Sequence, residues 1–361
     1  MRSFHYLWLC AVTLVWWSLL ITPLNAAIIE DLYDAKVAVS DQSEATQNAA
    51  IKKGLRQVFI KASGSQDLLK HAHIVKELSR ATGLIRLYTY EKIDEQLYLV
   101  VNFDPEKVQN AIRSAGFPVW DKRRPDTILW LAIETARQDK QLLNQETHAE
   151  LVRRINEQAR QRGIHVIMPL WDLADLQTVD VYDVWGGFMQ QLLLASERYE
   201  ISTLLSARIY RAPADDGQDQ EGLKWLADWT LIDNGQLNAG QVHMPDSGQV
   251  VVGLVDALAN QLAAKYAVSQ QNNLLNAIKV SINITKVDSI ARYAELVKFL
   301  NGLTVVASAT LIEQQGDRAT FELELLGSYD DLLNTFRLDS KIQSGTINGQ
   351  KDTEQEFIWV N

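Results

Sequence analysis

The sequence predicts a mixed α/β and α+β protein of three small domains, the last of them a ferredoxin-like β-α-β-β-α-β unit. Three observations carry that expectation. The chain has 361 residues, 47% hydrophobic and 22% charged, which is apolar material enough for several cores. Its apolar residues fall in short blocks whose period switches between 2 and about 3.6, punctuated by Gly, Pro and Ser. The last block is the clearest: Ile278, Val280, Ile282 and Ile284 alternate with Lys279, Ser281, Asn283 and Thr285, as in a half-buried strand.

The chain opens with Arg2 and His5, runs apolar over 7–21 without an ionised side chain, breaks at Pro23 and reaches Ala26 and Ala27. This pattern predicts a secretory signal peptide over 1–26, cleaved after Ala26. The apolar run is shorter than the ~20 residues needed to cross a bilayer, and no later segment is longer, so the mature chain is expected to be soluble and extracytoplasmic with no stable membrane span. Cys10, the only cysteine, lies in this segment. Disulfides, cysteine metal sites and thiol nucleophiles are therefore not expected in the mature chain. A net charge of -10 argues against a nucleic-acid partner, since phosphate binding draws on clustered Lys and Arg.

The N-terminal domain is expected over 27–118. After a short strand at 36–39, Ile51, Leu55, Val58, Phe59 and Ala62 lie on one face of a helix spanning 43–62, with Gly64 suited to its left-handed end. A second helix is predicted at 67–81, then a hairpin from 85–90 and 97–103. Asp104 and Pro105 supply an N-cap and a first-turn proline for the helix that carries Val108, Ile112 and Ala115. Residues 119–126, with Lys122, Arg123, Arg124 and Pro125, read as a solvated linker.

The middle domain is expected over 127–268. Buried strands at 128–133 and 164–168 flank a polar helix at 146–161, the order of a parallel crossover. A helix at 188–196 leads to a strand at 201–210 and to a hairpin carrying Trp225 and Trp229, with Gly235 in its turn beside Asn234. A long amphipathic helix at 250–267 closes the domain. The C-terminal domain, 276–361, adds to its first strand a helix capped at Asp288 or Ser289, strands at 304–312 and 318–326, a helix capped by Ser328 with Asp331, and a last strand at 357–360.

No catalytic, metal or cofactor motif emerges from the side chains. His71 and His73 lie two apart in a helical context, which sends them to different faces. Ser63 and Ser65 flank Gly64 without a nucleophile-elbow pattern and read as helix-end residues. Asp215, Asp216, Asp219 and Glu221 resemble a calcium loop, but the register places Gln220 where glycine is needed and Leu226 where glutamate is needed. Trp225 and Trp229, four apart on a strand, share a face. They are the binding candidates if that face is open, and core if it packs on the closing helix.

The segment Asn48-Ala-Ala-Ile-Lys-Lys-Gly-Leu-Arg-Gln-Val-Phe-Ile-Lys-Ala-Ser-Gly64, the later Phe103-Asp-Pro105 and Val119-Trp-Asp-Lys-Arg-Arg-Pro125 resemble a Gram-negative envelope family known as domain of unknown function 2066. The resemblance spans most of the mature chain and is most specific in the first domain. By element order, the middle domain also resembles curli-secretion, flagellar-accessory and penicillin-binding-protein-activator folds. Together these resemblances imply a non-catalytic periplasmic accessory or scaffold protein that binds envelope machinery. An envelope hydrolase acting on peptidoglycan or glycan, through carboxylates brought together only by folding, is the alternative. A glycan or small-ligand binding module built on the tryptophan hairpin is the third.

Overall fold

The structure is a computed structural model that describes residues 27–135, 137–211, 225–269, 278–345 and 356–360. The expected signal peptide and the acidic run with Asp215 and Asp216 lie outside the described residues. No helix of the described residues is long and apolar enough to cross a membrane.

The N-terminal part comprises β1 (Ala27–Ile28), β2 (Asp34–Val39), α1 (Glu44–Ser63), α2 (Ala72–Ser79), β3 (Ile85–Ile93), β4 (Gln96–Phe103) and α3 (Pro105–Ser114). The sheet runs β2-β4-β3, antiparallel throughout. Ile51, Leu55, Val58 and Phe59 of α1 pack on Val37, Leu99, Val101 and Phe103 of that sheet. Ser43 caps α1 and Asp104 caps α3 with Pro105 in its first turn, as the residue types require. The helix expected at 67–81 is broken. A 3-10 turn at Asp67–Lys70 comes first, and the extended backbone of His71 then caps the eight-residue α2.

The middle part buries both faces of its central strand, while its edge strand at Gln236–Met244 stays largely open. Its elements are β6 (Asp126–Glu134), β7 (Lys140–Leu142), α4 (Ala149–Arg162), β8 (His165–Ile167), α5 (Leu173–Thr178), α6 (Val181–Gly186), α7 (Met189–Ser196), β9 (Thr203–Arg211), β10 (Trp225–Asp233), β11 (Gln236–Met244) and α8 (Ser247–Tyr266). The strands order β11-β10-β9-β6-β7, with β8 also on β6; β6 is parallel to both β8 and β9. Alternation along β6 divides the core. Leu129, Leu131 and Ile133 face α4 and α8, while Ile128, Trp130 and Ala132 face α5–α7. Asn234 and Gly235, both at positive φ, make the two-residue turn that pairs Asp233 with Gln236.

The C-terminal part follows the expected β-α-β-β-α-β order with one addition. It contains β12 (Ile278–Thr285), α9 (Ile290–Asn301), β13 (Val306–Gln315), β14 (Arg318–Leu325), α10 (Tyr329–Arg337), β15 (Ile342–Ser344) and β16 (Glu356–Trp359), with sheet order β13-β14-β12-β16-β15. The three-residue β15 takes the sheet edge. The chain then returns so that β16 lies between β15 and β12, antiparallel to the first and parallel to the second. Three residues are too few to show a period, so β15 has no signature in the sequence.

The segment expected to be a solvated linker is instead largely buried, with Val119, Trp120, Arg123, Arg124 and Pro125 enclosed and Lys122 exposed. Arg123 and Arg124 form β5 (Arg123–Arg124), which pairs with β1, and both are buried. The Arg124 guanidinium lies 3.6 Å from the ring centroid of Trp120. It donates to the carbonyls of Lys61 at 2.9 Å, Trp120 at 3.2 Å, Asp121 at 2.5 Å and Gly163 at 3.1 Å. Burial pulls its pKa down to about 9, with Asp121 opposing, so it is still charged at neutral pH. Arg123 reaches the other way, to Asp339 at 2.7 Å, with Phe299 of the C-terminal core 5.3 Å beneath it. Arg162, at the end of α4, bonds the Gly64 carbonyl at 2.8 Å and Asn260 and Asp256 of α8 at 2.7 and 2.5 Å. Gly64 ends α1 at φ +70°, and a side chain there would collide with Ala263 and Trp120.

Phe321 is fully buried on β14 and stacks on Tyr293 of α9, with ring centroids 6.2 Å apart. Phe321→Asp should destabilise the protein by more than about 4 kcal/mol, because it removes a large core side chain and buries a charge with no partner. Urea denaturation measures this; a midpoint close to that of wild type would show that this face of β14 is not core.

Candidate functional site

Among the described residues, those singled out in the sequence do not converge on one site. Trp229 is only 8% exposed and packs in the core against α8, its indole occupying the space left by the missing side chain of Gly240. It cannot stack on a sugar or grip a partner, which corrects its candidacy as a binding residue. Trp225 is half-buried against the same core, with the Arg211 guanidinium 5.4 Å over its ring. Ser63 donates to the Phe59 carbonyl at 2.7 Å and accepts from the Ser65 amide at 3.1 Å, which is helix-end work. His71 accepts from the His73 amide through Nδ1 and meets Phe117 edge-on.

A different region stands out. Leu170, Leu173, Leu176, Tyr182, Phe188, Leu193 and Leu194 are each 40–71% exposed, all within a stretch that forms α5, α6 and α7. These helices pack on one another and cover β6 through Val179, Val184 and Leu192. Helices of six to eight residues have no stability of their own in water, so local anchors must hold them. Asp172 caps α5, and Asp180 with Asp183 forms a capping box on α6.

The main anchor is a carboxylate network under α5. Asp175, buried, accepts from the Trp171 amide at 2.8 Å, from the Tyr199 hydroxyl at 2.6 Å and from Arg198 at 3.0 Å. Arg198 also grips both oxygens of Asp172, at 2.6 and 2.8 Å. Its guanidinium holds the Asp172 carboxyl well below the usual carboxylate range, and burial, with Asp175 alongside, pushes the Tyr199 hydroxyl up to about 12. Trp171, at φ +53°, donates its Nε1 proton to the Leu143 carbonyl at 2.8 Å and meets Trp130 edge-on. Both carboxylates are thus committed to ion pairs, and their chemistry here is positional.

Beside α6, Trp185 lies 4.8 Å from the Lys140 ammonium and 5.9 Å from the Arg208 guanidinium. Arg208 donates twice to Asp228 at 3.0 Å, where Tyr210 and Gln241 also donate, and once to the Trp185 carbonyl at 3.1 Å. This network ties α6 to β9 and β10. The sequence did carry a signal for the α5–α7 face. Residues 170–176 and 181–194 hold more apolar side chains than three short helices can turn inward, and Asp172 and Asp180 mark two helix starts.

The depressed Asp172 pKa fixes a pH dependence. A carboxylate whose folded pKa lies below its unfolded value of ~3.9 contributes stability that is full above that value and is lost as pH falls through the folded pKa. Amide exchange in α5, corrected for intrinsic rates, should therefore quicken from about pH 4 downward. Asp172→Asn keeps a good cap but loses the ion pair, so its α5 should exchange faster already at pH 7 and respond less to acid. Equal protection in both proteins at both pH values would contradict the assignment.

Comparisons with other proteins match two separate stretches of the chain. Residues 26–121 match a domain of unknown function, DUF8605, and residues 278–350 match DUF2066. No curated protein matches the chain. Among solved structures, a competence or damage-inducible protein from Enterobacter asburiae is 12% identical, covering 44% of this chain and 93% of that one at a TM-score of 0.21. A CinA superfamily protein from Enterobacter cloacae is 12% identical, covering 44% and 88% at 0.22, and the protein ComA from Klebsiella pneumoniae is 14% identical, covering 44% and 92% at 0.22. Superpositions at such scores carry no argument about fold or activity. The similarity to DUF2066 read from the sequence therefore holds, but it falls on the C-terminal domain at residues 278–350, while the N-terminal domain that first suggested it is similar to DUF8605.

Proposed function

We propose that this protein is a non-catalytic periplasmic accessory or scaffold protein that docks another envelope protein on the face formed by α5, α6 and α7. The single observation that carries the reading is the run of large apolar side chains exposed along those helices. Contiguous apolar surface costs solubility in a monomer and marks sites that another surface covers. The anchors beneath it, Asp175, Arg198 and Trp171, hold the helices in place before any partner arrives, which lowers the ordering cost of binding. The apolar run at 7–21 followed by Ala26 and Ala27 supports export, and the element order of the middle domain is compatible with proteins that act by binding envelope machinery.

The test pairs crosslinking with function. A photo-reactive residue at position 173 or 188 should capture one envelope protein in cells, whereas the same residue at position 109 on α3 should not. Leu173→Asp with Phe188→Asp should leave the melting temperature unchanged, since both side chains are exposed, yet reduce capture more than about tenfold and abolish complementation of a strain lacking the gene. Full complementation by the folded double variant would overturn the docking face. A folded single-alanine variant that abolishes complementation while capture stays normal would favour the hydrolase instead.

A further inference from the structure

β3 ends the N-terminal sheet on one side, and no strand of the described residues pairs with its outer edge. Eight or nine residues of unpaired strand edge are a template for another chain, and proteins usually blunt such edges. The two-residue turn at Asp94 and Glu95 makes Ile93 and Gln96 the closing pair, so Thr89 and Glu91 direct their amides to β4. The amides of Tyr88, Tyr90 and Lys92 consequently point to the open edge. Beside this edge runs a groove of about 430 Å³ whose walls include Asn48 and Ile51 of α1 and Ile85, Arg86 and Tyr88 of β3. Arg86 forms no ion pair among the described residues.

We propose that the edge of β3 receives an extended polypeptide segment as a fourth strand. One apolar side chain of that segment fills the groove beside Ile51 and Tyr88, and a neighbouring carboxylate pairs with Arg86. Only another extended backbone offers the alternating donors and acceptors that the edge presents. A second copy of β3 is a poor occupant. In the antiparallel register that pairs residues 86–92 of two copies, Arg86 of each would face Lys92 of the other at both ends of the ladder. This surface is separate from α5–α7, and the inference stands or falls independently of the docking reading.

The probe is an acetylated, amidated nonapeptide of alternating Thr and Val or Ile with one Glu, added to the full mature chain. Binding should protect the amides of Tyr88, Tyr90 and Lys92 from hydrogen exchange, while Thr89 and Glu91 are protected already in the free protein. Methylating the peptide nitrogens that face β3 should weaken binding by about tenfold, and methylating the others should not. Arg86→Glu should weaken it by up to about fivefold, with recovery when the peptide Glu is replaced by Lys. Asn48→Trp, which fills the groove from an exposed helix position, should also block it. Absence of binding up to about 1 mM, protection of amides elsewhere, or concentration-dependent protection of Tyr88 and Tyr90 without peptide would each overturn the proposal.

Discussion

The last carbonyls of a helix have no partner inside it, and when the helix ends in the interior those acceptors must be met by other groups. Both α1 and α4 end in the interior, where the N-terminal and middle cores meet. Arg124 and Arg162 supply the donors there, reaching the carbonyls of Lys61, Gly64 and Gly163. A guanidinium is suited to this place because its planar fork bonds several carbonyls at once, stacks on an indole and complements the negative end of a helix. Arg123, next in the chain, holds Asp339 and thereby the C-terminal core. The junction of the three cores thus centres on the segment 119–124 and on Arg162, with the Val119–Val268 bridge and the bond from Asn334 to the Lys265 carbonyl beside them.

That junction explains which parts of the fold were legible in the sequence. Helices and strands with four or more periodic apolar residues, such as α1, β12 and β14, announce themselves because burial is local to one face. The arginine segment misleads because charge and proline ordinarily signal solvent. Its burial draws on the carbonyls of Lys61 and Gly163, which are remote in sequence, as well as on those of Trp120 and Asp121 nearby. β7 and β15 have three residues each and no readable period. His71 looks helical by neighbourhood, yet its extended backbone begins α2, a decision made by a single cap.

The candidate surfaces were less legible for a related reason. A tryptophan on a strand shows its type but not its cover, and only the approach of α8 and Gly240 settles that Trp229 is core. The leucines of α5 and α7 carry the opposite ambiguity. In sequence they resemble core residues, and their exposure follows from there being three short helices over one sheet face, which Val179, Val184, Leu192 and Ala195 already fill from above. The unpaired edge of β3 depends on strand order, which no local pattern encodes.

The proposed scaffold role requires surfaces that keep their relative positions, and the arginine junction joins the domains that carry them. Differential scanning calorimetry of residues 27–361 tests this most directly. The account predicts one transition for the N-terminal and middle domains together, with calorimetric and van't Hoff enthalpies in agreement, and separation into two transitions on Arg124→Leu. Two separate transitions for these domains in the wild-type protein would contradict it.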